Sequence, residues 1–187
     1  HFLKGAIAMA VNGVPIFNYH TNTGVDSFLD GQLDNYGGHC GKGDDYHYHT
    51  APLHLITLGQ ASATLPIAFG LDGYAVYGSL EPDGSPMETL DTNHGHYGTN
   101  GVYHYHGTAN PDGSNPQMIT NMVGNVTEVN SEIVPQAHSS HVRTENWTPL
   151  KGPLLITSCS PKSGNNGYNL SYTWNGISGY ATNFSWS

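Results

Sequence analysis

Hydrophobic and polar positions alternate along this chain in short runs punctuated by Gly, Pro, Asn and Asp, the pattern of β-strands joined by tight turns. Ala6-Ile7-Ala8-Met9-Ala10-Val11 and Val14-Pro15-Ile16-Phe17 flank Asn12-Gly13, and Pro66-Ile67-Ala68-Phe69-Gly70-Leu71 and Tyr74-Ala75-Val76-Tyr77 flank Asp72-Gly73. Each set predicts strand, turn, strand, because Asn, Asp and Gly tolerate the positive φ of a hairpin turn. Residues 153–158, residues 168–174 and the run from Asn175-Gly176 to Trp186 repeat the pattern near the end of the chain. Lys, Glu and Arg, the residues of exposed helices, are scarce throughout.

The two hairpins head longer blocks that match each other. Leu33-Asp34 precedes His39 and then Tyr46-His47-Tyr48-His49, while Leu90-Asp91 precedes His96 and then Tyr103-His104-Tyr105-His106. Asp to His spans five positions, and that His to the next spans eight, in both blocks. Two retained spacings point to a geometric constraint. The expected fold is all-β: an internally duplicated sandwich or barrel of short antiparallel strands and long loops. We read a single domain over residues 1–187, made of repeat one (5–55), repeat two (65–108), an irregular segment (109–150) that wraps the core or forms an outer loop, and a C-terminal β-hairpin region (151–187).

The chemistry lies in the histidines. Residues two apart on a strand share a face, so His47 and His49 project together, as do His104 and His106, with the tyrosines on the other side. His39 and His96, each reached by a Gly-containing loop, complete two three-imidazole sets, a metal-binding arrangement that keeps an open position. Neutral imidazole suits zinc, copper, iron or nickel, with copper or zinc the ions expected here. The trios either bind an ion each or converge on one shared site. Asp34 and Asp91 are candidate acceptors for an imidazole N–H, or direct ligands. His54 and His94, which differ between the blocks, are candidate extra ligands, with a plain hydrogen-bonding role the stronger expectation. His1 would offer copper an amine and a ring if it opens the mature chain, whereas His20, His138 and His141 carry little information. Asp44-Asp45 either attracts a cation or starts the strand, and Glu81-Pro82-Asp83-Gly84 reads as a β-turn without calcium-loop spacing.

Charge narrows the partners. Five Lys and Arg against fourteen Asp and Glu leave a formal net charge of -9, which argues against nucleic acid. No apolar run is long enough for a membrane-spanning helix, and the start at His1-Phe2-Leu3 reads as a mature or trimmed chain. Cys40 and Cys159 either pair in an oxidising compartment or stay apart, and the sequons at Asn125, Asn146, Asn169 and Asn183 support secretion weakly.

Through Tyr46-His47-Tyr48-His49, Tyr103-His104-Tyr105-His106, Asn12-Gly13-Val14-Pro15-Ile16-Phe17 and Leu71-Asp72-Gly73-Tyr74-Ala75-Val76-Tyr77-Gly78, the chain resembles the YHYH-domain family. The likeness is most specific over residues 5–110 and looser in the tail. It implies a secreted or cell-surface protein and carries no established reaction; the expected location is extracellular or the cell surface, with the periplasm as an alternative. Three functions follow as expectations. The first is capture or stapling of a transition metal by the trios. The second is copper-dependent oxidoreduction or metal-dependent hydrolysis at an open position. The third is a structural subunit of an extracellular β-rich layer or filament that self-associates through strand edges.

Overall fold

A computed structural model describes residues 2–41, 45–109, 118–136 and 154–185; His1, Asp44, His138, His141, Trp186 and the sequon at Asn146 lie outside them. The fold is nearly all β. Its main sheet is built from β1 (Ala6–Ala10), β2 (Pro15–Phe17), β3 (Gly38–Cys40), β4 (Tyr46–Tyr48), β5 (Ala68–Gly70), β6 (Ala75–Tyr77), β7 (Gly95–Tyr97) and β8 (Tyr103–His106). A two-stranded sheet pairs β9 (Thr127–Val129) with β10 (Glu132–Val134), and a three-stranded sheet joins β11 (Leu154–Pro161), β12 (Gly167–Trp174) and β13 (Ile177–Ser185). The single helix among the described residues, α1 (His54–Thr57), is one turn long.

The main sheet runs β3-β4-β2-β1-β5-β6-β8-β7. At its centre β1 and β5 pair antiparallel, setting Ala8 opposite Gly70 and Ala10 opposite Ala68. Outward from this seam the two sides follow the same order of pairings. An antiparallel hairpin comes first (β1 with β2, β5 with β6), then a parallel step (β2 with β4, β6 with β8), then a second antiparallel hairpin (β4 with β3, β8 with β7). The expectation of antiparallel strands therefore holds except at the two parallel steps. A parallel neighbour needs a connection of a dozen or more residues, and the chain between β2 and β4 and between β6 and β8 is long enough to provide it.

The Asn12-Gly13 and Asp72-Gly73 hairpins form as expected, with the positive φ carried by the glycines alone (85° and 92°). At the later hairpin Asn175 and Gly176 both take positive φ (50° and 74°), the pair of values a two-residue turn requires. One face of the main sheet buries Ile7, Ile16, Tyr48, Ile67, Val76 and Tyr105 in a single core. Met118, Ile119 and Ile133 join it, so the described part of the segment read as irregular contributes to the interior. On the other face the three-stranded sheet docks through Tyr168, which packs with Phe69, Ala75, Tyr77 and Phe184 and whose hydroxyl accepts the Ala75 N–H at 3.2 Å. Cys40 and Cys159 are free thiols, so the bridge weighed from the sequence is not formed. Among the described residues no helix is long and apolar enough to cross a membrane.

Candidate metal centres

Each histidine trio is assembled by one hairpin. β3 lies antiparallel to β4 with His39 opposite His47, and β7 lies on β8 with His96 opposite His104. Opposed residues on paired strands have Cα atoms about 4.5–5.5 Å apart, close enough for two imidazoles to meet over one face. The preceding residue in each case is glycine for lack of room: a Cβ on Gly38 would lie 2.6 Å from the Tyr46 ring, and one on Gly95 would collide with the Tyr103 side chain and the His104 carbonyl. The tyrosine that alternates with the histidines thus dictates the glycine beside the third ligand.

In the first centre the Nε2 atoms of His39, His47 and His49 converge. His47 Nε2 is 3.1 Å from His49 Nε2, which is 3.2 Å from His39 Nε2. Behind them, His47 Nδ1 donates to the Asp45 carbonyl at 2.7 Å and His49 Nδ1 donates to the Asn18 carbonyl. A carbonyl only accepts, so both Nδ1 atoms carry the hydrogen and the neutral rings turn bare Nε2 lone pairs toward each other. Burial, partly offset by these backbone bonds, lowers the pKa of His47 and takes His49 down to about 4, so both rings are neutral at physiological pH. Lone pairs held this close repel unless a cation lies between them. Imidazoles bound at 2.0–2.1 Å to one tetrahedral ion sit about 3.3 Å apart, close to the spacing seen. Phe17 stacks on His47 at 4.0 Å and walls one side, while the trio also borders a cleft of about 360 Å³.

The second centre repeats this arrangement and adds a ligand. His96 Nε2 lies 3.1 Å from His104 Nε2 and 3.2 Å from His106 Nε2, and His106 Nδ1 donates to the Gly78 carbonyl at 2.6 Å. Burial lowers His104 and brings His106 to about 4. The Glu81 carboxylate reaches all three rings, at 3.1 Å from His96 Nε2, 3.0 Å from His104 Nε2 and 3.5 Å from His106 Nε2. Its own burial opposes ionisation, but the Glu88 N–H and the imidazoles outweigh this and hold the carboxyl below its usual value. Three imidazoles and a carboxylate, all buried or nearly so, make a four-donor set of the kind that closes around a metal ion.

Glu81 was not among the residues the sequence singled out. Its segment does form the expected turn, with Glu81 N–H donating to the Ser85 carbonyl at 2.9 Å, but the side chain folds back onto the trio. The only sequence signal was comparison with the matching turn, where Thr21 stands in place of the carboxylate. Asp34 and Asp91 are engaged elsewhere. Asp34 Oδ1 accepts the N–H groups of Tyr36 and Gly38, and its Oδ2 accepts the Tyr46 hydroxyl at 2.9 Å. Asp91 likewise accepts from Asn93, Gly95 and Tyr103. Both carboxylates therefore shape the loop before the third histidine and touch no imidazole of the trios. His54 bonds the Tyr48 hydroxyl at 3.2 Å and His94 the Thr108 hydroxyl at 3.0 Å, each away from the trios. His20 borders the first cleft. The two centres are separate clusters rather than one shared site. Five strand-to-strand steps divide β4 from β8, roughly 24 Å along the sheet at about 4.8 Å each.

No curated protein and no solved structure matches the chain. A family model described as YHYH protein matches residues 2–89, a span that holds the central hairpins, the whole first centre and Glu81. It ends before the second Tyr-His-Tyr-His, short of the 5–110 suggested by the motifs. Residues 2–89 thus carry the sequence pattern of the YHYH family, and the second histidine block, beyond the matched span, is set on its strands in the same way as the first.

Proposed function

We propose that this is a secreted or cell-surface protein that binds a transition metal, copper or zinc, at two histidine centres. The observation that carries the reading is the locked tautomer. In the first centre His47 and His49 commit their Nδ1–H groups to backbone carbonyls and turn bare Nε2 atoms to each other at 3.1 Å, and in the second His106 is fixed in the same way, with His96 Nε2 at 3.2 Å. A hydrogen-bonding role for His47 and His49 would place a donor between their rings; this arrangement places two lone pairs there. Imidazole nitrogen with at most one carboxylate oxygen suits copper and zinc, whereas calcium and magnesium prefer oxygen donors. The resemblance to a family of predicted secreted and cell-surface proteins supports the location, and the acidic net charge of -9 suits a protein that attracts cations.

The test is elemental analysis of protein purified without added metal and then dialysed against copper or zinc, comparing wild type with His47→Ala/His49→Ala and His104→Ala/His106→Ala. Two ions are expected in the wild type and one in each double variant. Equal metal content in all three proteins would sink the proposal.

A further inference from the structure

The two centres differ at one position, and that difference defines a ligand. Thr21 and Glu81 occupy the same place in matching turns. Thr21 N–H donates to Val25 O and Gly24 N–H to Thr21 O; Glu81 N–H donates to Ser85 O and Gly84 N–H to Glu81 O, all at 2.8–2.9 Å. The turns are closed by the isolated bridges His20 with Asp26 and Leu80 with Pro86. Each begins three residues after the carbonyl that holds the last ring of its trio, Asn18 for His49 and Gly78 for His106. In the second centre this position sends a carboxylate onto all three Nε2 atoms. In the first, the Thr21 hydroxyl bonds Thr23 Oγ1 at 2.8 Å and accepts the Thr23 and Val25 N–H groups, so it stays within its own turn. The corresponding side of the first trio borders the cleft of about 360 Å³, whose wall includes Lys4, Phe17, His20, Thr21 and Gln32.

Resting on the metal-binding reading above, we propose that the first centre takes an external carboxylate in the place that Glu81 fills in the second. Charge supports the choice. A divalent ion with three neutral imidazoles and Glu81 leaves a net charge of +1, whereas the same ion in the first centre keeps +2 in a partly buried setting and calls for an anion. Among the described residues the cleft carries one Lys4 ammonium and one Asp45 carboxylate, which offset each other, and the ion provides the attraction for an anion. The second centre borders a smaller cleft of about 240 Å³, but there the chain itself supplies the carboxylate through Glu81. The first is the ligand-taking site.

Cobalt(II) and acetate test this. Protein loaded with cobalt, its stoichiometry set by elemental analysis, is titrated with acetate while the visible d–d bands are followed. The wild type should show a saturable change from one of its two ions. Thr21→Glu, which supplies a tethered carboxylate at millimolar or higher effective concentration, should weaken the acetate response by about ten-fold or more. Glu81→Thr should bring a second ion into the response. Two bound cobalt ions with no acetate response would overturn this inference and leave metal binding intact, whereas a protein that binds no cobalt would overturn both. An unchanged response in Thr21→Glu, or an equal response to chloride, would also overturn it.

Discussion

At the scale of single residues, the decisive atoms are the Nε2 lone pairs and what opposes them. Without a metal, the Glu81 carboxylate faces three imidazole Nε2 atoms, and that of His106 cannot donate to it because its Nδ1 carries the hydrogen. Glu81→Gln replaces one acceptor with an amide donor, so it should stabilise the metal-free protein by about 1 kcal/mol. The same substitution should weaken metal binding at the second centre by roughly 100-fold or more, since even partners of metal ligands commonly matter by 10–100-fold. Thermal unfolding in chelator and competition with a chromophoric chelator check the two effects, and the same sign in both would refute the account. A second residue-scale prediction concerns Gly37, at φ 80°, whose added Cβ would collide with the Thr50 hydroxyl. The matching pair is reversed in size: His94, at φ 71°, stands where Gly37 does, and Gly107 stands where Thr50 does. Gly37→Ala should cost about 1–3 kcal/mol and shift His49, whose N–H donates to the Gly37 carbonyl at 2.8 Å. Adding Thr50→Gly should recover the part due to the clash, measured by denaturant unfolding of the single and double variants.

At the scale of elements, each Tyr-His-Tyr-His strand joins a polar site to an apolar core, and its tyrosines act as pins. Tyr105 is fully buried; its hydroxyl donates to Asp72 Oδ2 at 2.6 Å and accepts the Val123 N–H at 2.8 Å. It thereby ties β8 to the central Asp72-Gly73 turn and to the segment after residue 118. Tyr48 has matching contacts with Asn12 and His54. Tyr105→Phe keeps the ring, takes the Tyr105 hydroxyl from Val123 N–H and leaves Asp72 Oδ2 with the Gly124 N–H, so a loss of about 1–3 kcal/mol is expected, read as a lower denaturant midpoint at unchanged slope. The alternating period of this strand and the glycines of the Asn12-Gly13 and Asp72-Gly73 turns were legible in the sequence, because a two-residue repeat and a left-handed turn are local properties, whereas the strands β3 and β7 that carry His39 and His96 were read only as Gly-containing loops. The parallel steps that set β4 beside β2 and β8 beside β6 were not legible, because which distant strands pair is settled by packing across the whole sheet.

At the scale of the whole molecule, two centres on opposite arms of one sheet should make stability depend on metal. Binding to the folded state alone adds RT ln(1 + [L]/Kd), about 4 kcal/mol per site when the free ion stands at 1,000 times Kd. The wild type should therefore lose melting temperature in chelator, and each double-histidine variant should lose less. A melting temperature that ignores chelator in all three would mean that the folded chain has no preference for the ion. The three-stranded sheet bears on the second arm, since Tyr168 packs against Tyr77, whose ring lies 5.2 Å from that of His104.

Sequence alone determined the strand-and-turn character of the chain, the two trios and their matched spacing, since these follow from the two-residue period of a strand and from turn chemistry acting over a few residues. Only the tertiary structure decided that the trios form separate centres, that Asp34 and Asp91 hold loops rather than imidazoles, and that Glu81 joins one trio while the Thr21 hydroxyl stays within its own turn. Glu81 lies 15 residues before His96 in the chain, and its carboxylate meets the trio only because the turn after β6 folds back over β8. Such contacts between distant segments leave no periodic trace, and the ligand set depends on them.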